Sequence, residues 1–95
     1  MYLNALAAEI KAEIPDSLLP ADSTEALFLS YAVLALAKGA AVDASDVHNA
    51  WVAWMLGRGL HHESMVPYDE LPPMVRNEDS PFVEAIRRVA ARRSP

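Results

Sequence analysis

Apolar residues recur at helical intervals from the start of the chain: Leu3, Leu6, Ala7, Ile10 and Ile14 share one side, and Glu9, Lys11 and Glu13 the other. This predicts an amphipathic helix over about 3–14, stopped by Pro15. The linker 16–21 carries Leu18, Leu19 and Pro20 and is expected to pack on the body, since two adjacent leucines are poorly placed in water. From Ala26 to Ala37 only Ser30 interrupts the apolar run. A helix apolar all round must be surrounded by protein, so 24–38 is expected to be a central helix buried on all sides, with Asp22 or Ser23 as N-cap and Gly39 as stop.

Asp43-Ala44-Ser45-Asp46 has the chemistry of a helix start, and the helix it opens is expected to end near Arg58, at Gly59. Pro67, Pro72 and Pro73 break the stretch 60–80 into a loop, with one turn after Pro67 and another after Pro73. Ser80-Pro81 then opens a last helix with Phe82, Ala85, Ile86 and Val89 inward. Nothing alternates with period two, so any strands are short and lie near 60–66. The expected fold is mainly α: one domain over 1–95, a compact bundle of about four helices with a Pro-rich loop between the last two.

Composition narrows the function. At 95 residues and 53% hydrophobic, the chain has enough apolar mass for one self-sufficient core. It has no cysteine, which removes disulfides and thiolate metal sites and makes a cytoplasmic location the simplest expectation. The acids outnumber the bases, 13 to 8, and a net charge of −5 speaks against nucleic-acid binding. The apolar run is shorter than the ~20 residues a bilayer needs, and the N-terminus has no basic leader, so no membrane partner is expected.

Candidate chemistry is sparse. His61-His62-Glu63 contains ligand types, but adjacent histidines diverge, so no metal and no cofactor are expected. Asp69-Glu70 and Glu78-Asp79 are acid pairs whose ordinary role is as solvated loop acids and helix caps. No phosphate-cradling glycine loop or nucleophile elbow occurs. Trp51 and Met55 read as core. Trp54, three residues on, is hard to bury in so short a chain and is a candidate partner surface together with Arg87, Arg88 and Arg92. The arginines read as a solvated helix face in which Glu84 pairs with Arg88, or as a site for an acidic partner, including a second copy's N-terminal helix, or for a phosphate.

His48 and Trp51, then Gly59, then His62, Val66, Pro67, Tyr68, Leu71 and Pro72, with Arg76 and Asp79 beyond, follow in an order that resembles the repeat of ryanodine receptors, of the free-standing bacterial or phage kind. Leu60, Glu63 and Ser80 depart from that pattern, and a loop of the family is missing between Gly59 and His62. The resemblance covers about residues 46–89 and divides the domain into an N-terminal helical part, 1–42, and a repeat-like part, 43–95. It implies a non-enzymatic binding module for a small nucleotide-like ligand or a protein, with a ligand cleft bounded by His48, Trp51, Val66, Pro67 and Tyr68, and with His62 as a donor fixing the 66–68 turn. The tandem pairing of such repeats implies a homodimer. A structural homo-oligomeric scaffold without small ligand is the alternative, and a small hydrolase using His61, His62 and the paired acids the third reading.

Overall fold

The computed structural model describes residues 1–21 and 23–93. It consists of α1 (Tyr2–Ala12), α2 (Glu25–Lys38), α3 (Ala44–Gly57), the short α4 (Pro73–Asn77) and α5 (Ser80–Arg93), with single 3-10 turns at Asp16–Leu18, Gly39–Ala41 and Tyr68–Glu70. The mainly α bundle expected from the pattern is therefore the fold observed. No strand forms among the described residues, including 60–66. No described helix is long and apolar enough to cross a membrane.

Local chemistry explains the helix limits. At the front of α3, Asp43 accepts from the Asp46 N–H and the Asp46 carboxylate accepts from the Asp43 N–H, each at 3.0 Å, a reciprocal capping box. Lys38 closes on Asp46 at 2.9 Å and ties the end of α2 to this cap. At the other end Gly59, with φ of 70°, turns the chain so that its N–H reaches Leu56 O and the Leu60 N–H reaches Met55 O, both at 3.0 Å. That pair of bonds satisfies two carbonyls the helix would leave open, and the left-handed φ is why glycine sits there. The N-cap of α2 is Thr24, which makes no side-chain cap bond; of the two residues expected there, Ser23 lies outside the cap and Asp22 lies outside the described residues.

One hydrophobic cluster takes side chains from both the 1–42 and the 43–95 parts: Leu6 and Ile10 of α1, Leu27, Phe28 and Tyr31 of α2, Val47 of α3, and Ile86 and Val89 of α5. Phe28 and Tyr31 meet edge to face at 5.1 Å, the arrangement favoured by the ring quadrupoles. The expectation that α2 is buried on all sides is corrected here. Leu27, Phe28, Tyr31, Ala32 and Ala35 face the core, whereas Val33 and Leu36 are 52% and 54% exposed. Five helices of this length leave one side of α2 without a neighbour, so an apolar run exceeded what the bundle could cover.

Candidate functional site

A cleft of about 480 Å³ opens between the 3-10 turn at Asp16–Leu18, the middle of α2, α3 and the start of α5. Its apolar wall is Leu18, Pro20, Leu27, Val75 and Phe82; its polar and aromatic groups include Tyr31, His48, Trp51, His62, Glu78 and Asp79, with Ser17 and Ser64 at the lining as well. The volume falls in the range of small-ligand sites, and the mixture of flat apolar walls with a few converging polar groups is what such sites are made of.

His48 is 3% exposed, and its Nε2 lies 2.6 Å from Val66 O. A carbonyl only accepts, so Nε2 carries the proton and donates. The ring is thereby pinned and in turn supports its neighbours, Trp51 at 5.9 Å and Tyr68 at 6.1 Å between centroids. Trp51 is half-buried, with one edge against His62 in a T-shaped contact at 5.5 Å. His62 holds its own loop by accepting the Ser64 N–H at Nδ1, at 3.0 Å.

Two groups in this cleft are left without partners. Tyr31 is 2% exposed, yet its hydroxyl makes no hydrogen bond to any described residue, and because no described polar side-chain atom is both fully buried and unpartnered, solvent must reach it, from the cleft that it lines. Burial, and then the nearby negative charge of Asp79, push its phenol well above the ordinary tyrosine range. The Asp79 carboxyl likewise accepts no hydrogen bond from the described residues. Burial pushes it up to about 6, Glu78 adds to the rise, and the nearby His48 opposes it.

Of the residues expected to bound a ligand, the structure brings His48, Trp51 and His62 to the cleft and leaves Val66, Pro67 and Tyr68 out of its lining. Those three lie behind His48, where Arg76 clips the turn by donating to Leu71 O at 2.8 Å and Asp69 O at 2.9 Å, its guanidinium 5.7 Å from the Tyr68 ring. Val66 O is held by His48, so the donor role assigned to His62 belongs to a residue on α3. In the sequence Tyr31 and Phe82 carry only the signal of core positions, since helical spacing cannot tell a core tyrosine from one whose hydroxyl meets a cavity. Asp79 was visible as half of an acid pair, and its partial burial was not.

The expected partner surface also comes apart. Trp54 is 8% exposed, covered within the chain, with the Arg58 guanidinium 5.0 Å from its ring. Arg87 donates to Val42 O at 2.7 Å. Arg88 pairs with Glu13 at 2.9 Å rather than with Glu84, and Arg92 reaches the same carboxylate at 3.4 Å. Arg88 and Arg92 are therefore engaged by an acid just after this chain's own α1, and Arg87 by a backbone carbonyl. No group of three or more metal-ligating side chains that could hold a metal ion occurs among the described residues.

No characterised protein and no solved structure matches the chain. Residues 1–91 match a family described as a domain of unknown function, DUF7701. This match begins at the first residue and runs through α1 and α2, which lie outside the 46–89 segment on which the ryanodine-receptor resemblance stood, and nothing in it indicates such a repeat. That resemblance is overturned, and with it goes the support it lent to a tandem-like pairing. The short run of His, Trp, Pro and Tyr positions that carried it is explained by local packing of one loop on α3, and from α1 to the last turns of α5 the chain belongs to the DUF7701 family of domains of unknown function.

Proposed function

We propose that this domain is a non-enzymatic binding module whose cleft beside Trp51 receives a small molecule or a side chain of a partner. The observation that carries this reading is the pair of uncommitted polar groups, the Asp79 carboxyl and the Tyr31 hydroxyl, facing a cleft of about 480 Å³ between apolar and aromatic walls. Both groups are open to solvent in the cleft, so a ligand can take over these two hydrogen-bonding positions from water while burying its apolar parts against the walls. A catalytic reading has less support, because both histidines of the cleft have one ring nitrogen engaged in holding backbone. A planar, base-like ring suits the walls, whereas a phosphate is opposed by Glu78 and Asp79.

A metabolite and nucleotide thermal-shift screen tests the proposal, run in parallel on the Trp51→Ala chain. At least one compound is expected to raise the Tm of the natural chain and not that of the variant. A screen without hits, or hits that stabilise both chains equally, would overturn it.

The second reading, a homo-oligomeric scaffold, is supported by the uncovered Val33 and Leu36 on α2. Light scattering decides it. A second copy on that face gives twice the chain mass and reverts to one mass in Val33→Glu, while a monomer at ~100 μM ends the idea, since that is far above the Kd of a specific interface of standard size.

A further inference from the structure

Charge inside the cleft is one-sided. Glu78 and Asp79 enter from the loop before α5, and no lysine or arginine lines the cleft among the described residues; its basic groups are the imidazoles of His48 and His62. An anionic ligand would meet two carboxylates with no strong cation to receive it. A neutral ligand could satisfy Tyr31 but would leave Asp79 charged and half-desolvated. A cation relieves both, because an ammonium donates to the carboxylate and to the phenol oxygen together and offsets the cost that burial imposes on Asp79. The neighbouring walls suit a ring on the same ligand: Trp51 and Phe82 both line the cleft with Tyr31, whose ring lies 5.9 Å from that of Phe82, and aromatic faces pack well against another ring. The net charge of −5 adds a weak long-range pull in the same direction.

We propose that the cleft takes an organic ammonium ion bearing an aromatic ring, its N–H groups donated to the Asp79 carboxylate and the Tyr31 hydroxyl and its ring lying along Trp51 and Phe82. This rests on the binding-module reading and names the ligand class for that site. The Tyr31 hydroxyl, held in a buried side chain and without a partner, makes the site more than an acidic patch, since it marks a fixed position for one N–H donor. The groups that face Asp79 are His48 from α3, Tyr31 from α2 and its own neighbour Glu78, with His62 in the same lining. Ionisation of Asp79 strengthens the site for a cation, so binding is expected to rise between pH 5 and pH 7.5, a span that includes the value of about 6 for Asp79.

The test uses the full chain labelled with ¹⁵N and three probes that share one ring and differ in the terminal group: tryptamine, the neutral tryptophol and the anionic indole-3-propionate. Titrations at pH 7.5 follow the Trp51 indole N–H and the amides around Asp79. Tryptamine is expected to bind roughly tenfold tighter than tryptophol, the size of one desolvated cation contact, and indole-3-propionate is expected not to bind. Asp79→Asn should bring tryptamine down to the affinity of tryptophol, and Tyr31→Phe should weaken it less. Equal affinity for tryptamine and tryptophol, or tighter binding of the propionate, would overturn the cationic ligand while leaving the cleft as a binding site. Absence of tryptamine binding at millimolar concentration overturns it as well. Hits confined to neutral or acidic compounds in the thermal-shift screen would then show that the broader reading survives without it.

Discussion

Asp79 is the residue whose environment has the most measurable consequence. Its carboxyl titrates near 6 in the fold, against an ordinary value of 3.8 in an unstructured chain. Below about pH 3.8 both states hold the proton and the group is neutral toward folding. Between 3.8 and 6 the unfolded chain releases its proton while the folded chain retains it, so the residue becomes a growing cost to folding as pH rises, and that cost is fully present above about 6. Asp79→Asn removes the titration with almost no change of side-chain volume. The variant should exceed the natural chain by about 1–2 kcal/mol in denaturant titrations at pH 7.5, allowing for solvent on the open side of the cleft. The two chains should converge near pH 4, and a constant difference at both pH values would mean that burial of the charge is not the cause. His48 shows a different limit of residue-level reading. Its type and position on α3 suggested a polar group in a functional place, but that its proton goes to Val66 O depends on a loop 18 positions away.

At the scale of elements, helix ends were legible because they are written in adjacent residues. The capping box of α3 is the clearest case. Asp43→Ala should cost about 0.5–2 kcal/mol by removing one of its two bonds, read as a shift in the urea midpoint at constant slope. The face that a helix buries is less legible. Leu27 is buried in the core cluster while Val33, on the same helix and of similar hydrophobicity, is half in water. Leu27→Ala is therefore expected to destabilise by ~2–5 kcal/mol, and Val33→Ala by less than ~1 kcal/mol, since it leaves no cavity. Equal losses in thermal or urea unfolding would contradict the placement of α2. The uniform apolar run could not reveal this difference, because both sides of the helix read alike until the number of neighbouring helices was known.

For the whole molecule, the two ends of the chain are joined by charge. Arg88 and Arg92 of α5 converge on Glu13 just after α1, and Arg93 reaches Glu9 at 3.1 Å. The bond from Arg88, which outweighs a small cost of burial, and the charge of Arg92 hold the Glu13 carboxyl below its usual range. These groups are exposed enough for salt to screen them. Glu13→Gln should lower the Tm at low ionic strength, and the difference from the natural chain should shrink toward zero at 1 M NaCl, followed by circular dichroism. A difference that persists in high salt would show that packing of the side chain, rather than its charge, is what matters. The pairing also accounts for the uneven charge along the chain, acids early and arginines late. Seen as sequence it suggested an external partner; in the fold the two groups partner each other.

Hydrophobic periodicity, proline and glycine positions and capping residues determined the helices, their order and their limits, because each of these acts within a few residues of itself. The same local signals marked His48 and Trp51 as a place of interest. They also produced a false family resemblance, since His, Trp, Pro and Tyr at fixed intervals record only that a loop packs on a helix. Which side of α2 meets solvent, that Trp54 is covered, that the arginines are engaged, and that Tyr31 and Asp79 face one cleft were decided only by the tertiary structure. Tyr31 and Asp79 stand 48 positions apart, and their lack of partners is a property of the cavity around them, which no local pattern encodes.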